Sequence, residues 1–296
     1  MPNDLPADSG RRVATWEPRH WTSGDGLNLY YRDYAGSADR PPLLCLHGLT
    51  RNSRDFEAFA ERYAGRFRVI APDFRGRGMS EWDPLPARYL PTTYAADVLQ
   101  LLDQLGIGQA VFVGTSLGGL VTMLVASLQP QRIAAAILND IGPEIDQAGL
   151  DRIGSYIGKP VRFQSWDEMA DTLSAVNRGL PASNSHDDWL RLARRVGKDD
   201  GDGIVFDYDM AIAVPFDQSR GAVSFDMWPL YRQLAQGPLL IIRGEHSDLL
   251  SAATAQEMLE GAANARLASI PGVGHAPELN EPEALAAIDL LLEELR

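Results

Sequence analysis

The chain has 296 residues, enough to bury a large core in one or two domains, and a formal net charge of −13. That acidic balance excludes a phosphate-tracking surface, so nucleic acid is not an expected partner. The single cysteine, Cys45, has no partner for an internal disulfide and sits in a strand-like apolar run, where a buried thiol is expected.

Met1 to Arg12 is polar, contains Pro and Gly, and lacks the apolar core of a signal segment. No stretch approaches the ~20 apolar residues of a membrane span, so no membrane contact and a cytoplasmic location are expected. Residues 1–15 read as a mobile tail. Trp16–Trp21 and Leu27–Tyr34 flank Ser23-Gly24-Asp25-Gly26, which predicts a hairpin of two antiparallel edge strands. Strand-like and helix-like runs then alternate: Leu43–Leu46, Asp55–Tyr63, Phe67–Ala71, Tyr94–Leu105, Gln109–Val113, Leu117–Leu128 and Ile133–Leu138. This order predicts an α/β fold, a mostly parallel sheet with helices on both faces. The alternation stops at Asp140. From Ile141 to Trp228 apolar residues recur at helical spacing in Leu150–Ile157, Trp166–Val176 and Trp189–Val196, with no strong strand. It resumes with Leu239–Ile242, Ala252–Leu259, Ala265–Ile270 and Pro282–Leu295. Residues 16–140 and 229–296 are therefore predicted to form one core, and 141–228 a helical insertion after the sixth strand.

Gly114-Thr115-Ser116-Leu117-Gly118 falls between a β-rich run and a small-residue helix. A serine in that tight turn projects its hydroxyl from the top of the sheet, and flanking glycines avoid collision with the neighbouring strand and helix. The turn sets the Leu117 N–H at a helix start, where an unpaired donor can hold an oxyanion. Leu43 to Leu46 leads into His47-Gly48-Leu49, whose Leu49 N–H would face Ser116 as a second donor. Downstream, Asp248 follows the strand Leu239–Ile242, and His275 lies between glycines and prolines in Pro271 to Pro277. Each sits past a predicted strand, on the edge where parallel sheets build their sites. The chemistry needs a base beside the hydroxyl and a carboxylate that fixes the imidazole tautomer. Glu245 in the same loop and Asp140 at a strand end are alternative acids.

These elements, with Pro72-Asp73-Phe74-Arg75-Gly76-Arg77-Gly78-Met79-Ser80, resemble the α/β-hydrolase superfamily and its cap-bearing serine esterase-like branch, from about Trp16 onward. The resemblance implies an α/β-hydrolase fold, with the insertion as a cap and His47 shaping the oxyanion loop. It implies a cofactor-free and metal-free serine hydrolase for a small or medium carboxylic ester or lactone with an apolar acyl part. Ser116, His275 and Asp248 would form the triad, Asp140 being the acid in some relatives, and Leu49 and Leu117 the oxyanion hole. Gly114-Thr115-Ser116 lacks a following Gly-Lys-Ser/Thr and is not G-x-G-x-x-G, so nucleotide binding has no support. Phe163, Trp166, Trp189, Phe206, Tyr208, Phe216 and Phe225 exceed what short helices need for packing, and Phe206 and Trp228 are the chosen pocket residues. Arg51 is the one basic residue placed to hold a substrate carboxylate, as a carbon–carbon hydrolase of aromatic breakdown would require. A non-hydrolytic enzyme or a ligand-sensing receptor on the same fold are further alternatives.

Overall fold

Alternating β-rich and amphipathic runs build one eight-stranded sheet in the computed structural model, which describes residues 15–176, 184–219 and 226–295. The tail expected over 1–15 lies almost wholly outside the described residues, as does Phe225. The first half of the core comprises β1 (Trp16–Thr22), β2 (Asn28–Tyr34), β3 (Leu43–Leu46), α1 (Glu57–Tyr63), β4 (Val69–Pro72), α2 (Pro91–Gln104), β5 (Ala110–Thr115), α3 (Leu117–Leu128) and β6 (Ile133–Asn139). An inserted segment follows: α4 (Gln147–Tyr156), β7 (Arg162–Phe163), α5 (Trp166–Val176), α6 (His186–Val196), β8 (Gly197–Asp199), β9 (Ile204–Phe206) and α7 (Ala213–Ser219). The chain then completes the core with α8 (Trp228–Leu234), β10 (Leu239–Gly244), α9 (Ala252–Glu260), β11 (Ala265–Ile270) and α10 (Pro282–Glu294).

The strand order is β1-β2-β4-β3-β5-β6-β10-β11. β2 pairs antiparallel with both β1 and β4, and every other pairing is parallel. Successive side chains of a strand face opposite ways. Leu44, Leu46 and Phe112 accordingly join Val98 and Val121 on one face, while Leu43, Cys45 and Val111 join Phe59 and Ile288 on the other. Burial pushes the Cys45 thiol pKa well up, leaving an inert apolar group. Among the described residues, no helix is long and apolar enough to cross a membrane.

The loop after β4 is fixed by a buried cation. Arg75 gives its Nε and one terminal nitrogen to Asp97 at 2.8 and 2.6 Å, and the other to Asp83 at 2.5 Å and Asp25 at 2.8 Å. Three carboxylates around one guanidinium tie the first hairpin, α2 and this loop together.

The insertion differs from the all-helical expectation. β7, β9 and β8 form a three-stranded antiparallel sheet. Strands of two or three residues are too short to carry an alternation signal, which explains their invisibility in the sequence. Phe163, Met169, Leu173, Trp189 and Leu192 give this segment its own small core. It is tied to the sheet-bearing core by Arg54 to Asp207 at 2.7 Å and by the Gly78 N–H to the Asp207 carbonyl at 3.1 Å. Asn52 and Arg54 both donate to the Arg195 carbonyl at the end of α6, each at 2.9 Å, and Arg54 also reaches the Gly197 carbonyl at 3.2 Å.

Candidate active site

Ser116 occupies a left-handed backbone conformation, φ 52° and ψ −115°, between the end of β5 and the start of α3. Such strain in a non-glycine residue persists only where the surroundings enforce it. Here the enforcement is steric crowding between strand and helix. A Cβ on Gly114 would lie 2.6 Å from the Gly118 carbonyl carbon, and one on Gly118 would lie 2.0 Å from the Leu46 carbonyl oxygen. With both glycines present, α3 begins directly against β3 and β5 and the Ser116 side chain is turned out of the sheet.

His275 joins Ser116 from the loop after β11. Its Nε2 lies 3.0 Å from Ser116 Oγ, and its Nδ1 lies 2.8 Å from Asp140 Oδ2. A neutral ring satisfies both contacts when Nδ1–H donates to the carboxylate and Nε2 accepts from the serine hydroxyl. Ser116 is buried, and the Asp140 side chain is wholly inaccessible. Asp140 also accepts the Gly244 N–H on Oδ1 at 2.9 Å and the Ser247 hydroxyl on Oδ2 at 2.7 Å. Three donors compensate a charge that burial would otherwise make costly.

Asp248, the expected partner of His275, is not on that ring; the carboxylate there is Asp140. The Asp248 carboxylate takes Arg152 Nε at 2.5 Å and a second guanidinium nitrogen at 2.8 Å. That fork, from α4 of the insertion, holds its pKa below the usual carboxylate range. The backbone explains the exchange: Asp140 is itself left-handed, φ 57°, which turns its side chain beneath the β10 loop towards His275. The β10 strand end and loop contribute the Gly244 and Ser247 donors to that carboxylate.

Leu117 is the first residue of α3, so its N–H is one of the unpaired donors of the helix start. Gly48, preceding Leu49, runs close to Ser116: a Cβ on it would lie 3.7 Å from Ser116 Cβ and 3.4 Å from Arg51 Cγ. His47 pins this turn. Its Nδ1–H donates to the Gly48 carbonyl at 2.7 Å and its Nε2 accepts the Phe74 N–H at 3.0 Å. Complete burial pushes its pKa down to about 3, so the ring is neutral and braces the loop. Arg77 supports the turn from the other side, donating Nε to the Leu49 carbonyl at 2.9 Å.

Arg51, expected to hold a substrate carboxylate, lies at the Gly48 turn with its charge engaged. Nε and a terminal nitrogen hold the two Asp55 oxygens at 2.6 Å each. Phe206 packs against the apolar cluster that joins Leu117 and Leu249 of the core to Ile153, Ile157 and Tyr208 of the insertion. Trp228 is placed elsewhere. Its indole N–H donates to Glu144 at 2.7 Å, its ring meets Tyr231 edge-on, and it packs with Leu230 and Leu234 beside α3.

Sequence reasoning missed Ser247, Arg152 and Asn139. The Asn139 amide donates to Thr115 Oγ1 at 3.1 Å and to the Pro277 carbonyl at 2.8 Å, linking the nucleophile strand to the histidine loop. None of the three has a local motif. Ser247 adjoins the suspected acid, and that adjacency is the only signal it offers.

Residues 43–288 match the family model described as Alpha/beta hydrolase family. The chain is 33% identical over 266 residues to a 3-hydroxybutyrate-oligomer hydrolase of Cupriavidus necator, covering 87% of this chain and 90% of that one. It is 29% identical to a 2-(acetamidomethylene)succinate hydrolase of Mesorhizobium japonicum, covering 82% and 84%. Among solved structures, an alpha/beta hydrolase from Novosphingobium aromaticivorans superposes with a TM-score of 0.91 at 48% identity, covering 95% of this chain and 99% of that one.

Proposed function

Because the chain belongs to the α/β-hydrolase family and is a hydrolase, we propose that it cleaves a carboxylic ester or lactone through an acyl-enzyme on Ser116, His275 and Asp140. The observation that carries this reading is the continuous hydrogen-bonded path from Ser116 Oγ through the His275 ring to the buried Asp140 carboxylate. Ser116 attacks the carbonyl carbon as its proton passes to His275 Nε2. Asp140 stabilises the imidazolium and fixes the ring's orientation. The oxyanion is held by the Leu49 and Leu117 N–H groups, a contribution worth ~10²–10³ in rate per donor. His275 then protonates the leaving alcohol, and the same ring activates water to release the acid.

The insertion acts as a cap in this proposal, and its contact with Leu117 and Leu249 supports an apolar space for the acyl part. The relative named for 3-hydroxybutyrate oligomers favours a short aliphatic hydroxy-acid ester as substrate. A carbon–carbon hydrolase needs a cation free to take a dienoate carboxylate, and the fork of Arg51 on Asp55 counts against it. A fluorophosphonate probe tests the nucleophile: labelling at Ser116, lost in Ser116→Ala, is the expected result. Turnover of short-chain and hydroxyacyl esters, beyond one equivalent per enzyme, separates an enzyme from a receptor. Labelling that persists in Ser116→Ala, or a single burst with every ester, would overturn the reading.

A further inference from the structure

The loop after β10 lies under the buried acid, and one of its side chains is built to donate in a single direction. Ser247 Oγ accepts the Leu250 N–H at 3.0 Å and the Leu249 N–H at 3.3 Å. A hydroxyl has two acceptor positions and one hydrogen. With both lone pairs facing backbone donors, the hydrogen is left to Asp140 Oδ2, 2.7 Å away. That is the same oxygen that receives His275 Nδ1 at 2.8 Å. We propose that Ser247 is a positioning residue of the catalytic site, its oriented hydroxyl setting both the angle and the acceptor strength of Asp140 towards His275. The proposal rests on the triad reading given above.

The physical effect has two parts. The Gly244 N–H and the Ser247 hydroxyl each hold one Asp140 oxygen, which opposes rotation of the carboxylate away from the ring. The hydroxyl also draws charge from Oδ2, which weakens that oxygen's hold on an imidazolium. Removing it leaves Oδ2 with the histidine as its one side-chain donor, so the protonated ring is favoured. The free enzyme should then lose its base at a higher pH. Asp248, the other carboxylate that senses His275, is already engaged by Arg152.

The test reads the fluorophosphonate labelling rate of the intact protein against pH, which requires no knowledge of the substrate. Ser247→Ala should label about three- to thirtyfold more slowly on the plateau. Its acid limb should lie higher by roughly half a pH unit. Ser247→Thr keeps the hydroxyl and should return both towards wild type. Ser251→Ala is the control, since Ser251 caps α9 through the Thr254 N–H at 2.9 Å; its limb should stay in place even if the protein is less stable. Should Ser247→Ala fail to fold, Ser247→Cys, with a weaker donor and a weaker acceptor, must still show the displaced limb. A limb and plateau unchanged in Ser247→Ala or Ser247→Cys would reduce Ser247 to a loop brace and overturn the proposal. Failure of the wild type to label at Ser116 is a different result, and it would remove the triad reading itself.

Discussion

Arg152 closes on Asp248 with a two-pronged hydrogen bond, 2.5 and 2.8 Å, that joins the first inserted helix to the loop beside His275. Both side chains are more than a third exposed or close to it, 37% and 34%. Solvent therefore screens the pair, and its stability contribution is at most about 1 kcal/mol. Its position matters more than its strength, because it commits Asp248 to the insertion and leaves the histidine to Asp140.

The two aspartates separate cleanly by substitution. Asp140→Asn should lower kcat by about 10⁴-fold, since an amide favours the wrong imidazole tautomer. Asp248→Asn should cost less than about tenfold, expressed mainly in KM, because it loosens α4 and leaves the Asp140–His275 hydrogen bond intact. Steady-state kinetics on any accepted ester decides this, with circular dichroism to confirm folding. A larger kcat loss in Asp248→Asn would return the acid to the β10 loop.

Phe206 and Trp228 should part company in the same way. Phe206→Ala opens space in the cluster containing Leu117, so the ratio of kcat/KM between short and long acyl esters should shift by fivefold or more, within the ~1–3 kcal/mol that one methylene-sized change commands. Trp228→Ala removes packing beside α3 and the bond to Glu144, so it should lower Tm and leave that ratio alone. The opposite pattern would mean that the acyl space lies on the α8 side.

Gly118→Ala tests the steric account of the nucleophile turn. The added methyl would meet the Leu46 carbonyl oxygen at 2.0 Å and Leu46 Cβ at 2.8 Å. Backbone cannot yield as a flexible side chain can, so destabilisation of about 1–3 kcal/mol and near-total loss of probe labelling are expected. Urea denaturation and labelling measure the two effects. A stable, fully labelled variant would mean that α3 is not held against β3 as described.

His47 carries a pH signature of its own. The unfolded ring takes a proton near pH 6.5, but burial holds the folded ring neutral down to about 3. Between those values the unfolded state binds more protons, so stability rises with pH through the window and is lost as pH falls. The slope from this one group is about 1.4 kcal/mol per pH unit. His47→Gln keeps a donor and an acceptor without the titration, so its urea midpoint should fall less steeply between pH 6.5 and 4.5 than that of the wild type. Parallel slopes would show that His47 is protonated in the fold.

The first hairpin, the parallel core and the Ser116 turn were legible because each is written in local backbone chemistry: Gly at the turns, β-rich runs, small residues where α3 meets the sheet. His275 was legible for a related reason, as the one histidine in a Gly- and Pro-shaped strand-end loop. The acid was not. Asp140 and Asp248 both follow strands, and both lie between Ser116 and His275 in the chain. What separates them is the left-handed Asp140 backbone and an arginine 96 residues from Asp248, neither of which leaves a local trace. Trp228 gave no sign of its place beside Tyr231 and α3, because an aromatic at helical spacing looks the same whether it faces a ligand or another helix. The short inserted strands pair residues as far apart as Arg162 and Val205, which no periodicity can announce.

The bonds from Asn52 and Arg54 to the end of α6 give the insertion an anchorage on the core. Both donors follow closely on Gly48 and Leu49, so the end of α6 is bonded to the same stretch of chain that runs beside Ser116. At the start of the insertion α4 meets the core through Arg152 and Asp248, a pair open to solvent. The insertion is thus held to the core at one end by bonds to backbone carbonyls and at the other by a solvent-screened ion pair, two attachments that added salt should weaken unequally.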